Sequence, residues 1–166
     1  MGNQGNLVLL LGSNSGNSKQ ILEKSISLIE SKLDIVVEKS AVYKSKSWGF
    51  TGNDFLNQAL VIKTNKHPIE CLNITQEIER ELGRHKKSTN GKYENRIIDV
   101  DILFYDDELI ESEELNIPHP RIQDRRFTLV PLNDLMPEFL HPKLNQPISE
   151  LIEKCADQNE VKKLNG

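Results

Sequence analysis

The order of its apolar segments constrains the fold of this chain more than any other feature. Four short apolar runs have the composition of β-strands, and two longer segments repeat apolar residues at helical spacing. The strands are predicted at 7–11, 35–45, 55–64 and 96–105, and the helices at 17–34 and 68–82. The resulting order, β-α-β-β-α-β, predicts a ferredoxin-like α+β core, an antiparallel sheet with both helices on one face.

The residues after this core predict a C-terminal extension with a short hairpin and helices. Residues 108–111 (ELIE) are expected to form a short antiparallel partner of the fourth strand. A proline-punctuated segment follows, with helices predicted at about 125–135 and at 148–156. The extension, or a functional site, must occupy the second face of the sheet. The chain has 166 residues and no repeat, low-complexity tract or linker, so we expect one domain over residues 1–166.

Charge and cysteine content exclude several classes of function. The net charge is −4, so the chain as a whole is not built to coat nucleic acid or an acidic membrane. No window approaches the ~18 apolar residues of a membrane span. Cys71 and Cys155 are far apart in sequence, which is neither a disulfide framework nor a zinc signature. We therefore expect a cytoplasmic protein with reduced thiols and no membrane partner.

Two carboxylates lie in the middle of the otherwise apolar fourth strand, RIIDVDILFY. Asp99 and Asp101 are two residues apart, so on a strand both point to one face. A solvated edge strand, or ion pairs with nearby arginines, would explain a bare D-x-D pattern. The functional interpretation is a Mg²⁺ site, since Mg²⁺ is commonly held by one or two carboxylates and by substrate phosphates.

A basic segment directly precedes this strand. It contains one acid, Glu94, and five cations, which are Arg84, Lys86, Lys87, Lys92 and Arg96. Most such runs are solvated loops, but cations beside a metal-binding pair suit a polyphosphate, whose remaining oxygens they neutralise. A further cationic set follows at Arg121, Arg125 and Arg126, with His119 close by.

Aromatic and amide side chains suggest a place for a flat heterocycle. Phe55 and Asn57 share one strand face, so a ring could stack on Phe55 and present its edge to the Asn57 amide. Phe127 is a second candidate ring, and Trp48 a candidate lid residue. Core packing for the phenylalanines and an exposed loop tryptophan without a role are the alternatives.

Gln76 and Glu79 are three residues apart on the second predicted helix, so they share one helix face. This face is either a candidate binding surface or a solvated flank of the helix.

These residues together resemble a known family, the 6-hydroxymethyl-7,8-dihydropterin pyrophosphokinases of folate biosynthesis. The matching segments are LLLGSN (9–14), FLNQA (55–59), TQEIERELGR (75–84), RIIDVDILFY (96–105) and PHPRIQDRRFTLVPL (118–132). The resemblance implies a ferredoxin-like core and transfer of pyrophosphate from ATP to the pterin hydroxymethyl group, with release of AMP. The partners it implies are small-molecule substrates alone.

The resemblance also implies roles for individual residues. Asp99 and Asp101 would bind two Mg²⁺ ions, and Arg84 and Arg96 would act with them in catalysis by clamping the phosphates. The implied ATP site consists of Gln76, Glu79, Arg84, Lys86, Arg96, Ile98, His119 and Arg125. The implied pterin site consists of Ser45, Trp48, Phe55, Asn57, Asp99 and Phe127. Because Arg96 would have the opposite parity to the aspartates on a regular strand, we predict that it precedes regular strand geometry.

The basic segment departs from the family pattern. Relatives usually carry R-W-G-P-R immediately before the aspartate strand, whereas this chain has K-Y-E-N-R at 92–96. This difference leaves the metal-binding and ring-binding residues unchanged. We expect it to affect how the basic loop closes over ATP.

Two other functions are compatible with parts of this sequence. D-x-D also occurs in metal-dependent nucleotide-sugar transferases, although these generally need a longer nucleotide-binding domain. A non-enzymatic ferredoxin-like module that binds a small ligand is the other alternative, and it leaves the aspartate pair unexplained. We expect a monomer, and pairing of sheet edges into a dimer is the alternative.

Overall fold

The computed structural model describes residues 4–46, 54–83 and 97–164. In chain order the elements are β1 (Gly5–Ser13), α1 (Ser18–Lys32), β2 (Val36–Lys39), β3 (Tyr43–Ser45), β4 (Phe55–Thr64), α2 (Pro68–Glu81), β5 (Asp99–Tyr105), β6 (Ile110–Glu111), β7 (Asn116–Ile117), a 3₁₀ turn (Ile122–Asp124), α3 (Arg126–Leu135), α4 (Ile148–Lys154) and β8 (Val161–Lys163). No helix within these ranges is long and apolar enough to cross a membrane.

The main sheet is antiparallel and has the predicted ferredoxin-like core. Its strands run in the order β5-β1-β4-β3-β8, and β2 pairs with β4 beside β3. β1 lies between β4 and β5, so the first strand occupies the centre of the sheet. The predicted α+β fold class is therefore confirmed.

Both faces of the sheet are covered, each by its own pair of helices. Leu7, Leu9 and Leu11 of β1 pack with residues of α1 and α2. Val8 and Leu10 alternate with them and pack with residues of α3 and α4. This period-two pattern explains why β1 reads as a continuous apolar run, since a strand buried on both faces needs apolar residues at every position.

The predicted second strand at 35–45 is interrupted in the structure. Residues 40–42 separate β2 from β3, although both strands pair with β4. Ser40 occupies the break, where its hydroxyl accepts a hydrogen bond from the Ala59 N–H at 2.9 Å. The Ser40 carbonyl accepts another from the Gln58 amide at 2.8 Å. The Ser40 N–H also donates to the Ala59 carbonyl at 2.9 Å, so side-chain hydrogen bonds supplement backbone pairing at this point.

The C-terminal extension differs from the prediction in two details. Residues 110–111 pair with β7 in a separate two-stranded sheet, so the expectation that ELIE pairs with the fourth strand is wrong. β8 was not predicted; its three residues, VKK, pair with β3 at the edge of the main sheet. Strands this short carry little signal in hydrophobic periodicity.

A bulge in β5 places two consecutive side chains on the same face of the sheet. The register with β1 shifts between Val8 and Leu9, so that Leu103 is the extra residue in β5. Val100 and Ile102 pack on the side of α1 and α2, whereas Leu103 and Phe104 both pack on the other side. Asp99 and Asp101 alternate with Val100 and Ile102, so they point to the face of α3 and α4, at the N-terminal end of the strand.

Candidate active site

A cavity of about 650 Å³ lies on the α3 and α4 side of the sheet. Its floor is formed by the adjoining ends of β1, β4 and β5, and its walls by the end of β3, the segment that leads into α3 and a residue of the C-terminal segment. The lining residues are Leu10, Gly12, Ser45, Lys46, Phe55, Asn57, Asp99, Asp101, His119, Arg121, Asp124, Arg125, Phe127 and Asp157.

Strand register brings an amide and a carboxylate to either side of a glycine. Gly12 in the central strand is opposite Asn57 in β4 and opposite Asp99 in β5. Asp101 is opposite Leu10, one step further along the same face. Since Gly12 has no side chain, the sheet surface has a depression between the side chains of Asn57 and Asp99. This depression is part of the cavity floor.

Asp99 and Asp101 line the cavity together, as their spacing predicts. Both are half-buried, and the residues that alternate with them, Ile98, Val100 and Ile102, are buried in the core. Among the described residues, no group of three or more His, Cys, Asp or Glu could hold a metal ion. Two carboxylates that line one cavity fit Mg²⁺ that takes its other oxygen ligands from substrate phosphates and water, rather than from a closed protein cage.

Asn57 lines the cavity and carries a hydrogen-bond acceptor that has no partner among the described residues. Its side chain is 4% exposed, and its Nδ2 donates a hydrogen bond to the Leu11 carbonyl at 3.2 Å. Its Oδ1 is buried and has no hydrogen-bond partner among the described residues. A buried acceptor without a partner is costly, so a ligand N–H at this position would be strongly selected. Phe55 and Phe127, which also line the cavity, supply ring surfaces for the same ligand.

Arg121 and Arg125 form a cationic wall of the cavity next to the carboxylates. Burial, followed by the charge of Arg121, lowers the pKa of the Arg125 guanidinium below its usual value. The nearby carboxylates of Asp101 and Asp99 oppose this shift. The Arg125 Cζ lies 5.6 Å from the centroid of the Phe127 ring. Cations beside a carboxylate pair suit a metal-bound polyphosphate, because they neutralise the oxygens that the metal does not reach.

His119 is held as a neutral imidazole within this wall. Its Nδ1 accepts a hydrogen bond from the Arg121 backbone N–H at 3.1 Å. Burial, followed by the charges of Arg125 and Arg121, lowers the pKa of His119 below its usual value. With Nδ1 occupied as an acceptor, the ring proton resides on Nε2, which can donate to a phosphate or base oxygen.

The structure brings eight of the predicted site residues to one cavity: Ser45, Phe55, Asn57, Asp99, Asp101, His119, Arg125 and Phe127. The other three described candidates are placed elsewhere. Ile98 is fully buried in the core, and Gln76 and Glu79 lie on α2, against the opposite face of the sheet. Glu79 Oε2 accepts a hydrogen bond from the Val100 N–H at 2.8 Å. The ATP-binding roles of these three residues remain predictions.

The remaining candidates, Trp48, Arg84, Lys86 and Arg96, lie outside the described residues. The same holds for the K-Y-E-N-R segment at 92–96 and for the predicted position of Arg96 before regular strand geometry. β5 begins at Asp99, three residues later than the apolar pattern indicates.

Sequence reasoning missed several residues that line the cavity. Leu10 and Gly12 are separated from the other site residues by more than 30 positions, and only strand register reveals their place. Arg121 was recognised only as part of a cationic set, and it pairs with Asp124, its Nε 3.5 Å from Oδ2. Lys46 and Asp157 carried no signal, because no motif includes them.

Comparisons with known proteins identify the family to which this chain is similar. Residues 8–137 match the family model of 7,8-dihydro-6-hydroxymethylpterin-pyrophosphokinase (HPPK). The 2-amino-4-hydroxy-6-hydroxymethyldihydropteridine pyrophosphokinase of Porphyromonas gingivalis is 38% identical over 141 residues, which cover 84% of this chain and 95% of that protein. The enzyme of the same name from Aquifex aeolicus is 40% identical over 142 residues, covering 84% and 86% respectively.

A solved structure supports the fold independently. The Plasmodium falciparum HPPK-DHPS A437G crystal structure with STZ-DHP aligns with 92% of this chain at a TM-score of 0.75 and 20% sequence identity. This chain spans 46% of that longer chain. The family model covers most of the chain, and the relatives exceed a third identity over most of their length. The chain therefore belongs to the 7,8-dihydro-6-hydroxymethylpterin-pyrophosphokinase family.

Proposed function

We propose that this protein transfers the pyrophosphoryl group of ATP to the hydroxymethyl group of 6-hydroxymethyl-7,8-dihydropterin, giving the pterin diphosphate and AMP, in folate biosynthesis. The observation that carries the proposal is the placement of Asn57 and Asp99 on either side of Gly12. One cavity thus offers a hydrogen-bonding edge for a heterocycle on β4 and, two strands away on β5, an anionic site for a metal-bound phosphate.

The pterin would occupy the side of the cavity formed by β4 and α3. Asn57 Oδ1 would accept a hydrogen bond from an N–H of the pterin edge, and Phe55 and Phe127 would contact its faces. Ser45 lines the same side at the end of β3. This orientation would direct the hydroxymethyl group toward Asp99 and Asp101, and positioning of this kind lowers the barrier of a transfer between two bound substrates.

ATP would bind along the carboxylates and the cationic wall. Asp99 and Asp101 would hold two Mg²⁺ ions, which when bound supply neutralisation and alignment of the triphosphate oxygens. His119 and Arg125 would contact ATP oxygens that remain exposed. From the family resemblance we add Gln76, Glu79, Lys86 and Ile98 to the ATP site, Trp48 to the pterin site, and Arg84 and Arg96 as cations that meet charge developing on the phosphates.

The reaction exchanges one phosphorus–oxygen bond for another. The hydroxymethyl oxygen attacks the β-phosphorus of ATP, and the bond from that phosphorus to the α–β bridging oxygen breaks. AMP leaves with the bridging oxygen, and the hydroxyl proton passes to water.

We further propose that residues 1–166 act as one pyrophosphokinase domain and as a monomer, with small-molecule partners alone. A cytoplasmic location remains a prediction from the sequence.

Analysis of the nucleotide product tests the proposed function. The protein is incubated with ATP, Mg²⁺ and the reduced pterin alcohol, and the nucleotides are separated by chromatography. AMP should accumulate in step with pterin diphosphate, and only when Mg²⁺ and pterin are both present. Accumulation of ADP would contradict pyrophosphoryl transfer, and binding of the pterin without any turnover would favour the non-enzymatic module.

A further inference from the structure

Asp157 lines the cavity although it lies 20 residues beyond the part of the chain that matches the family model. It belongs to the segment between α4 and β8. Its Oδ2 accepts a hydrogen bond from the Arg126 backbone N–H at 3.1 Å. Arg126 is the first residue of α3, and its two chain neighbours, Arg125 and Phe127, both line the cavity.

α3 lacks the usual means of stabilising its first turn. Arg125 at the N-cap makes no capping hydrogen bond with its side chain, and the first turn of this fully described helix contains no acidic residue. A helix N-terminus favours both a side-chain acceptor and a negative charge. Asp157 supplies both from a distant part of the chain.

The carboxylate of Asp157 is itself held in place. Its Oδ1 accepts hydrogen bonds from the Asn159 backbone N–H at 3.0 Å and from the Asn159 side-chain amide at 2.7 Å. Burial acts to raise the pKa of Asp157, but the hydrogen bonds from Asn159 and Arg126 outweigh it, so the pKa falls below its usual value. Two residues after Asn159, β8 begins and pairs with β3 opposite Ser45, on another wall of the cavity.

We propose that Asp157 is a positioning residue for the transfer reaction: it caps α3 from the C-terminal segment and thereby fixes Arg125 and Phe127 in the cavity. The inference rests on the proposed function, since those two residues are assigned to ATP and pterin. The hydrogen bond from the Arg126 N–H to Asp157 fixes the Arg126 backbone. Because Arg125 and Phe127 are its chain neighbours, this one hydrogen bond constrains the positions of both. The C-terminal segment thus becomes part of the active-site framework.

Three variants separate positioning from simpler roles. D157A removes the cap, whereas D157N keeps an oxygen that can accept the Arg126 N–H and removes the charge. N159A leaves Asp157 in place and removes one of the hydrogen bonds that hold its carboxylate, the one from the Asn159 side-chain amide. Asn159 is exposed and does not line the cavity. D134A is the matched control, because Asp134 tethers the other end of α3 through the Ala41 N–H at 2.9 Å.

Steady-state kinetics, thermal unfolding and amide hydrogen exchange are measured for each variant. In D157A, kcat/KM for the pterin alcohol should fall about tenfold or more, as expected for displaced binding groups. N159A should show a smaller loss in the same direction, and D157N should retain activity within about threefold of wild type, because the cap acceptor remains. D134A should lower the unfolding temperature and leave kcat/KM unchanged. The Arg126 amide should exchange faster in D157A and N159A alone.

Each contrary result overturns the inference. Unchanged kcat/KM in D157A would show a stabilising role only, and equal losses in D157N and D157A would show that the charge of Asp157, and not its capping hydrogen bond, supports activity. If D157A does not fold, N159A decides the matter: a wild-type kcat/KM with faster Arg126 exchange would exclude positioning. An inactive wild-type protein would instead refute the proposed function, and the exchange data would still report whether Asp157 caps α3.

Discussion

A Cβ atom on Gly12 would lie 2.8 Å from Nδ2 of Asn57. The two residues are opposite each other in β1 and β4, so the absence of a side chain at position 12 gives the Asn57 amide its place in the cavity floor. Only a glycine at position 12 lets the Asn57 side chain approach β1 this closely, and this approach shapes the cavity floor.

Replacement of Gly12 by alanine should therefore damage substrate binding more than folding. In G12A the Asn57 side chain must move, because the contact is closer than real Cβ contacts allow. We expect KM for the pterin alcohol to rise about tenfold or more, while the free energy of unfolding changes by only about 1 kcal/mol. Steady-state kinetics and denaturant titration measure the two quantities.

G16A is the control for this prediction, since a Cβ on Gly16 would meet nothing within 4 Å. It should leave both quantities near wild type. A G12A protein with normal KM would show that Asn57 does not need its present position.

Removal of either carboxylate of the pair should abolish most of the activity. D99N and D101N keep the side-chain size but lose the charge that binds Mg²⁺, so kcat/KM should fall by at least about 100-fold. Part of the loss should be recovered at high Mg²⁺ concentration if the defect is in metal binding. D107N, at an exposed position that does not line the cavity, should behave like wild type. Near-normal turnover by D99N would remove Asp99 from the metal site.

The guanidinium of Arg125 should not be replaceable by a lysine ammonium. R125K keeps the charge but loses the planar fork and the stacking on Phe127, where Cζ lies 5.6 Å from the ring centroid. A hydrogen bond to a charged group contributes roughly 1.5–3 kcal/mol, so kcat/KM for ATP should fall by more than tenfold. R126K alters the adjacent arginine, which does not line the cavity, and should have little effect. Equal effects of the two substitutions would contradict a specific role for Arg125.

Stability should decrease on acidification because of His141, a buried histidine outside the cavity. Its Nδ1 accepts hydrogen bonds from the Lys143 and Leu144 N–H groups at 3.2 and 3.1 Å. Burial, together with the charge of Lys143, lowers the pKa of His141 below its usual 6.5. The unfolded chain then binds more protons between the two pKa values, so the stability present above pH 6.5 is lost as the pH falls toward the folded pKa.

Thermal unfolding between pH 8 and pH 5 measures this loss, whose slope for one group is at most about 1.4 kcal/mol per pH unit. Asparagine can accept the same two N–H groups without titrating, so H141N should show a weaker pH dependence than wild type. His119 contributes with the same sign and remains in the variant. An unchanged pH dependence in H141N would exclude His141 as the source.

The parts of the fold that follow from residue patterns were predictable, and those that depend on distant hydrogen bonds were not. The period-two pattern of β4 placed Phe55 and Asn57 on one face, and Asp99 and Asp101 followed from the same rule. The break at Ser40 depends on hydrogen bonds to β4, which no local pattern shows. Gly12 and Asp157 reach the site through strand register and through an N–H of α3, so the sequence around each contains no sign of the role.

The fate of individually labelled phosphates tests the central claim most directly. Wild-type protein is given Mg²⁺, the pterin alcohol and ATP labelled at the α-, β- or γ-phosphorus, with the D99N/D101N double variant as the reference. The account predicts that β- and γ-label both move to the pterin, that α-label remains in AMP, and that the double variant transfers almost none. Transfer of γ-label alone, or undiminished transfer by the double variant, would contradict pyrophosphoryl transfer at the carboxylate pair.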